Sequence, residues 1–134
     1  MGAWGMGIFD DDTSCDLVDE AMESDDAKSF VGRAINHKDS DYLEYEECQE
    51  VLVSGAILDA MLNGAKYGED VEGFDDWILI QNSEFIPLVK SDILSGLQKV
   101  ISEKSELNEL WQENEKDYPA WRGNIDEIVG RLSS

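Results

Sequence analysis

Apolar residues recur along much of the chain at the three- and four-residue spacing of an amphipathic helix. The clearest stripe comprises Ala27, Phe30, Val31, Ala34 and Ile35. Asp25 and Asp26 precede it, where acidic side chains interact favourably with the helix N-terminus. A shorter stripe lies upstream and comprises Cys15, Val18, Ala21 and Met22. Thr13 or Ser14 could cap this first segment, so the pattern predicts two helices before residue 36.

The longest apolar segment extends from about Leu43 to Ala65. Its apolar positions cover more than one side of a helix: Tyr45, Cys48, Val51, Leu52, Val53, Gly55, Ala56, Ile57, Leu58, Met61 and Leu62. We therefore expect a central helix that other elements contact on several sides. The stretch 63–76 then contains three glycines and five acids, a composition typical of a long exposed loop.

Helical spacing returns in the second half of the chain. The run "WILI" at 77–80 is too short to be assigned to a strand or a helix. Pro87, Ser105 and Pro119 mark the starts of three further helical segments. Their apolar positions are Val89, Ile93, Leu97, Val100 and Ile101; Leu107, Leu110 and Trp111; and Trp121, Ile125, Ile128 and Leu132. With no hairpin signal, the sequence predicts an all-α fold, one compact domain over residues 1–134 with five or six helices around a long central helix.

The charge of the chain is strongly negative. Thirty-one Asp and Glu residues stand against ten Lys and Arg, which gives a formal net charge of −21. Residues 1–76 carry 21 acids and 4 bases (net −17), whereas residues 77–134 carry 10 acids and 6 bases (net −4). Such a field repels nucleic acid and anionic lipid, so we expect neither as a partner. It favours capture of a basic protein, although solubility alone would also account for it.

Cys15 and Cys48 are the two cysteines, and they lack the spacing of a metal or redox motif. Each belongs to a predicted apolar helix face, so we expect buried free thiols, which fit a reducing compartment. The sequence shows no signal-peptide pattern and no apolar run of membrane-spanning length. These features predict a cytoplasmic protein.

The stretch "DDDT" at 10–13 is the first candidate for chemistry. A phosphatase loop needs Asp10 and Asp12 followed by Thr two residues later, but Thr13 comes one residue too early. An EF-hand loop counted from Asp10 needs Gly at its sixth position, where Cys15 stands. We therefore interpret Asp10, Asp11 and Asp12 as surface charge at the start of a helix.

His37 is the single histidine, so a zinc site with two imidazoles is excluded. A nucleophilic pair of His37 with Cys15 or Cys48 is conceivable, but the polar segment around His37 predicts a solvated loop histidine instead. Nucleotide-binding glycine motifs are missing. The spacing of the acids selects no carboxylate pair, although a two-carboxylate hydrolase stays open as a third alternative. We expect no enzyme, no catalytic residue, no metal site and no cofactor.

Three stretches resemble a bacterial family catalogued as domain of unknown function 4259. They are "MGAWGMGIFDDDTSCDLVDEAM", "YLEYEECQEVLVSGAILDAML" and "SELNELWQENEKDYPAWRGNIDEIVGRL". The chain departs from the family pattern where Asp11 and Leu17 replace the expected Asn and Trp, and where bulkier residues replace alanines of the central helix. The resemblance implies that Trp4, Ile8 and Phe9 of the opening motif pack inward. It supports the fold and implies no activity.

A small acidic chain without catalytic groups is typical of a protein that neutralises a basic one. The sequence favours an immunity or inhibitor protein that binds a basic toxin, such as a nuclease of contact-dependent growth inhibition. The alternative is a housekeeping or scaffold domain without a toxin partner. Two acidic stretches are candidate partner-binding sites: Asp39, Asp41, Glu44, Glu46 and Glu47; and Glu69, Asp70, Glu72, Phe74, Asp75 and Asp76. We favour the second stretch, in which Phe74 and Trp77 would be aromatic anchors.

Overall fold

The computed structural model describes residues 12–24, 26–37, 39–65 and 71–133. The helices in these ranges are α1 (Asp12–Ser24), α2 (Ala27–Ile35), α3 (Tyr45–Asn63), α4 (Phe74–Leu79), α5 (Ile86–Val100), α6 (Glu106–Gln112) and α7 (Tyr118–Ser133). Within the described residues the only β-pairing is an isolated parallel bridge between Leu43 and Ser105. The all-α fold predicted from the sequence is therefore confirmed.

Helix α3 is the centre of the fold. Every residue from Cys48 to Ala60 is buried, and the helix packs against α1, α2, α4, α5, α6 and α7. The apolar residues of α3 are not confined to one face, because an enclosed helix has no face exposed to solvent. The prediction of a central helix contacted on several sides is confirmed, although the helix is shorter at both ends than the apolar segment 43–65.

Helices α3 and α5 cross at a contact between glycines and aliphatic side chains. A Cβ atom on Gly55 would lie 3.0 Å from Leu97 Cδ2, and one on Gly96 would lie 3.0 Å from Val51 Cγ1. Both distances are tighter than ordinary van der Waals contact, so each missing side chain allows the opposite helix to approach. This pair of contacts fixes the position of α5 on the core.

Helix α7 packs against both α3 and α5. The rings of Trp111 and Trp121 stack with centroids 5.6 Å apart and planes 11° apart. Both residues are buried, as their place in the predicted apolar stripes requires. Arg131 donates from Nε and Nη2 to Asp59 Oδ2 at 2.9 and 2.7 Å, and the Asp59 side chain is fully buried. A two-point contact of this kind joins α7 to α3 with defined geometry.

Helix α4 makes the helix count higher than the five or six expected. Gly73, at φ 83°, directs the chain into α4, and Phe74 and Ile78 on one side of the helix are buried. The apolar run "WILI" therefore belongs to a short helix whose start lies inside the predicted loop 63–76. Neither cysteine forms a disulfide bond; Cys48 is buried as expected, whereas Cys15 is only half-buried.

Candidate partner-binding surfaces

The first acidic stretch surrounds the start of α3, and we call its five members the α3 acidic cluster: Asp39, Asp41, Glu44, Glu46 and Glu47. All are exposed except Glu47, which is half-buried. Glu47 Oε1 accepts a hydrogen bond from the Glu44 backbone N–H at 2.9 Å, the arrangement of a capping box. Glu44 and Glu47 thus satisfy backbone groups at the helix start, a structural task independent of any partner.

His37 lies against this cluster, and the prediction of a solvated loop histidine is wrong. Its side chain is 20% exposed, with Nδ1 3.1 Å from Glu47 Oε2 and Nε2 2.8 Å from Glu50 Oε1. Arg33 lies 3.6 Å from the other Glu50 oxygen. The turn after α2 runs directly beside the first turns of α3, which brings the imidazole between two glutamates of the next helix. His37 therefore joins the end of α2 to the start of α3.

The surroundings of His37 offer little space for a ligand. A cavity of about 40 Å³ is lined by His37, Val51 and Lys99, among others. Pockets that bind small molecules measure roughly 300–1,000 Å³. The Lys99 ammonium donates a hydrogen bond to the Ser40 carbonyl oxygen at 2.6 Å, so it already has a backbone partner. The polar groups beside His37 are explained by packing between α2, α3 and α5.

The Cys48 thiol is engaged away from His37. Cys48 Sγ lies 3.3 Å from Ser105 Oγ and 3.6 Å from the Leu43 carbonyl oxygen. Burial raises the pKa of the Cys48 thiol, and the hydrogen bond with Ser105 only partly opposes this effect. A buried thiol with a raised pKa is a poor nucleophile, because the thiolate is the reactive form. The geometry does not form the conceivable pair of His37 with Cys48.

Helix α6 adds further carboxylates beside the α3 acidic cluster. The Tyr42 hydroxyl donates to Glu109 Oε2 at 2.8 Å, and this hydrogen bond is the main cause that raises the pKa of Tyr42 to about 12. The Tyr45 backbone N–H donates to Glu106 Oε1 at 2.8 Å. The acids of α6 therefore fasten the segment that leads into α3, as the Leu43–Ser105 bridge also does.

The second acidic stretch adjoins α4. Glu69 and Asp70 lie outside the described residues, whereas Glu72 and Asp76 are exposed and Asp75 is half-buried. Phe74 is fully buried, so the prediction that it is an exposed anchor for a partner is wrong. The backbone at Gly73 turns this ring into the core, where it contacts Trp77 at a centroid distance of 6.1 Å.

Three aliphatic side chains near α4 are exposed instead. Leu79, Ile80 and Leu88 have relative exposures of 75%, 79% and 81%. These three residues were not identified as exposed from the sequence, although the apolar run "WILI" at 77–80 indicates that some apolar side chains there face solvent. A short helix buries one side only, so four consecutive apolar residues must leave some facing solvent. Leu88, next to Pro87 in the first turn of α5, is exposed for the same geometric reason.

Carboxylates adjoin these exposed side chains. Asp75 and Asp76 precede Leu79 and Ile80 by four residues, the spacing that brings side chains together on a helix. Leu79 and Asp75 line one groove of about 270 Å³. Leu88 lines a second groove of about 430 Å³ together with Asp26, Lys28 and Glu84. We call the following seven residues the α4 patch: Glu72, Asp75, Asp76, Leu79, Ile80, Glu84 and Leu88.

Gln81 lines both grooves, and its side chain hydrogen-bonds to the backbone of two helices. Its Oε1 atom accepts a hydrogen bond from the Ala27 backbone N–H at 3.0 Å, and its Nε2 atom donates to the Trp77 carbonyl oxygen at 3.0 Å. One side chain thus connects the start of α2 to the middle of α4. These two hydrogen bonds hold the residue that directly follows Leu79 and Ile80 against the start of α2.

Three carboxylates of the α4 patch take no part in the ion pairs of the described residues. Arg33, Arg122 and Arg131 pair with acids that lie outside the patch. Among the residues that the structure describes, no basic side chain forms an ion pair with Glu72, Asp76 or Glu84.

In the described ranges no group of three His, Cys, Asp or Glu side chains is arranged to hold a metal ion. No described helix has the length and apolar character needed to cross a membrane. Asp10 and Asp11 lie outside the described residues, so the interpretation of the Asp triplet rests on Asp12, an exposed residue at the start of α1.

Comparison with known proteins places the chain in a family. The family described as domain of unknown function (DUF4259) matches residues 2–124, which covers most of the sequence. No curated protein and no solved structure matched the chain. This is the family that the sequence resembles, so the expected family is confirmed. The protein therefore belongs to the DUF4259 family.

Proposed function

We propose that this protein is an acidic inhibitor that binds and neutralises a basic protein. In the sharpest form of the proposal it is an immunity protein against a cationic toxin, such as a nuclease domain of contact-dependent growth inhibition. The observation that carries the proposal is the concentration of negative charge, net −17 over residues 1–76, together with exposed carboxylates that no described base pairs with.

The physical basis is electrostatic complementarity. A nuclease uses basic side chains to hold phosphate groups, so its groove attracts a surface of carboxylates. Opposite fields speed the encounter of two proteins and suppress partners of the wrong charge. An inhibitor also has to cover the groove, and it needs no catalytic group to do so. The buried Cys48 thiol and the enclosed His37 ring are consistent with such a passive role.

The experiment uses the product of the gene directly upstream. This product and the acidic protein are co-expressed, purified by a tag on one chain, and tested for toxicity in cells with and without the acidic protein. We expect a stable complex with a basic protein and full protection of the cells. An upstream product that is not basic, does not bind at low salt, or is equally toxic with and without the acidic protein would contradict the proposal and favour a scaffold or housekeeping role.

A further inference from the structure

We infer that the α4 patch is the contact surface for the partner, and that the partner presents a basic amphipathic segment to it. The inference rests on the proposed function for the basic character of the partner, and it adds where that partner binds and which side chains it needs. Apolar side chains of the segment would cover Leu79, Ile80 and Leu88, and its Lys or Arg side chains would face the neighbouring carboxylates.

The apolar part of the inference comes from exposure. Single exposed leucines are common on protein surfaces, but grouped ones mark sites of interaction. Leu79, Ile80 and Leu88 are the most exposed of the large hydrophobic residues in the described chain, and they fall within ten positions of one another. Leu79 and Leu88 also line separate grooves that share Gln81 as a wall. Two adjoining grooves offer places for more than one apolar side chain of a single segment.

The negative charge of the chain favours a basic segment as the partner that binds to the α4 patch. A second copy of this protein would bring another −21 charge to the surface, and an anionic membrane would repel it as well. Asp75, Asp76 and Glu84 stand beside the apolar side chains, with Lys28 as the base that lines the larger groove. A segment that alternates apolar and basic side chains at helical spacing complements both features at once.

The α3 acidic cluster fits such a segment less well. Glu44 and Glu47 are engaged with the helix start and His37, and Tyr42 is the exposed large hydrophobic residue beside them, at 40% exposure. Its hydroxyl donates to Glu109, and the groove that it lines is otherwise formed by Leu110 and three glutamates, so little apolar surface is exposed there. Carboxylates without an apolar group attract a basic partner but give it little to bury.

The test uses the full chain and two synthetic peptides. One peptide, about 18 residues long, carries Leu and Lys at helical spacing, and the other has every Leu replaced by Ser at the same charge. Binding is measured by calorimetry, and the site is mapped from amide NMR shifts. The variant is Leu79→Ser with Ile80→Ser and Leu88→Ser, and Tyr42→Ser is the matched control at the other surface. Circular dichroism checks that every variant is folded.

We expect the Leu-Lys peptide to bind the wild type and the control, to shift amides of residues 72–88, and to lose affinity at least ~10-fold in the triple variant. Equal affinity for both peptides, or shifts confined to residues 39–47, would overturn the inference while leaving the proposed function standing. Binding of anionic vesicles, or a dimer that the triple variant abolishes, would also overturn it. If no peptide binds at low salt, the inference fails, whereas the proposed function is decided separately by the toxin co-expression.

Discussion

The two acid-rich regions look alike in the sequence, yet they differ in what their carboxylates do. At the start of α3, Glu44 and Glu47 form the capping arrangement, and Glu47 and Glu50 enclose His37. Beside α4, Glu72 and Asp76 are exposed and form no ion pair with a described base, and Asp76 lies one helical turn before the exposed Ile80. The density of acids along a sequence therefore does not identify an interaction surface, because part of that charge serves helix ends and internal contacts.

Among the substitutions that compare buried and exposed residues of α4, the largest loss of stability is expected at Phe74. Replacing it with Ala should destabilise the fold by about 3–5 kcal/mol, because a fully buried aromatic ring leaves a cavity. The matched substitution Leu79→Ala should change the free energy of unfolding by less than about 0.5 kcal/mol, as for most exposed sites. Denaturant unfolding of both variants measures the difference. Equal losses would place Leu79 in the core and remove the apolar part of the α4 patch.

A second, smaller effect is expected at Glu47. The substitution Glu47→Ala removes the acceptor for the Glu44 N–H and one contact of His37, so a loss of about 1–2 kcal/mol is expected. Asp76→Ala is the control, with an expected change within about 0.5 kcal/mol. Thermal and denaturant unfolding measure both values. If Asp76→Ala cost as much as Glu47→Ala, the contrast between the two acid-rich regions would not hold.

Local signals in the sequence were sufficient for most helices. Asp26 caps α2 as its position before the apolar stripe indicates, Ser105 caps α6, and Pro87 lies in the first turn of α5. Each of these signals acts within a few residues, so it survives without knowledge of tertiary contacts. The periodicity of α3 was also readable, because a long apolar run on several sides implies a helix inside the core.

The candidate sites depended on contacts that the sequence does not encode locally. Phe74 lies between acids and glycines, and only the turn at Gly73 decides that its ring faces the core. His37 lies in a polar segment, while its enclosure comes from Glu47 and Glu50 on another helix. The exposure of Leu88 likewise follows from how α5 packs. Periodicity predicts which residues can form a face, and tertiary packing decides which face is covered.

The smallest expected effect is a pH-dependent one, at the hydrogen bond between Tyr42 and Glu109 beside the α3 acidic cluster. The hydrogen bond to Glu109 raises the pKa of Tyr42 to about 12, above the ordinary value of 10.0. The stabilising contribution of this contact is therefore present below pH 10.0 and is lost as the pH rises through about 12. In Glu109→Gln the pKa of Tyr42 should fall toward the ordinary value.

The titration of Tyr42 is followed by the absorbance of its phenolate. The Tyr42→Phe variant keeps the other tyrosines, so subtracting its titration curve leaves the signal of Tyr42 alone. At a pH between the two values, the Glu109→Gln variant should show more ionised Tyr42 than the wild type does. Identical titration curves in the two proteins would show that Glu109 is not the partner of Tyr42, and that the carboxylates of α6 are more available to a partner than the hydrogen bonds indicate.

The measurement that tests the central claim most directly is the association rate with the basic product of the upstream gene at low salt. Two variants remove the same number of charges: Glu72→Gln, Asp76→Asn and Glu84→Gln in the α4 patch, and Asp39→Asn, Asp41→Asn and Glu46→Gln in the α3 acidic cluster. We expect the α4 variant to associate about 10-fold more slowly than the wild type and the α3 variant to lose less than about 3-fold, because charges beside the contact surface steer the encounter most strongly. Equal slowing in both variants, or a larger loss in the α3 variant, would contradict the assignment of the partner to the α4 patch.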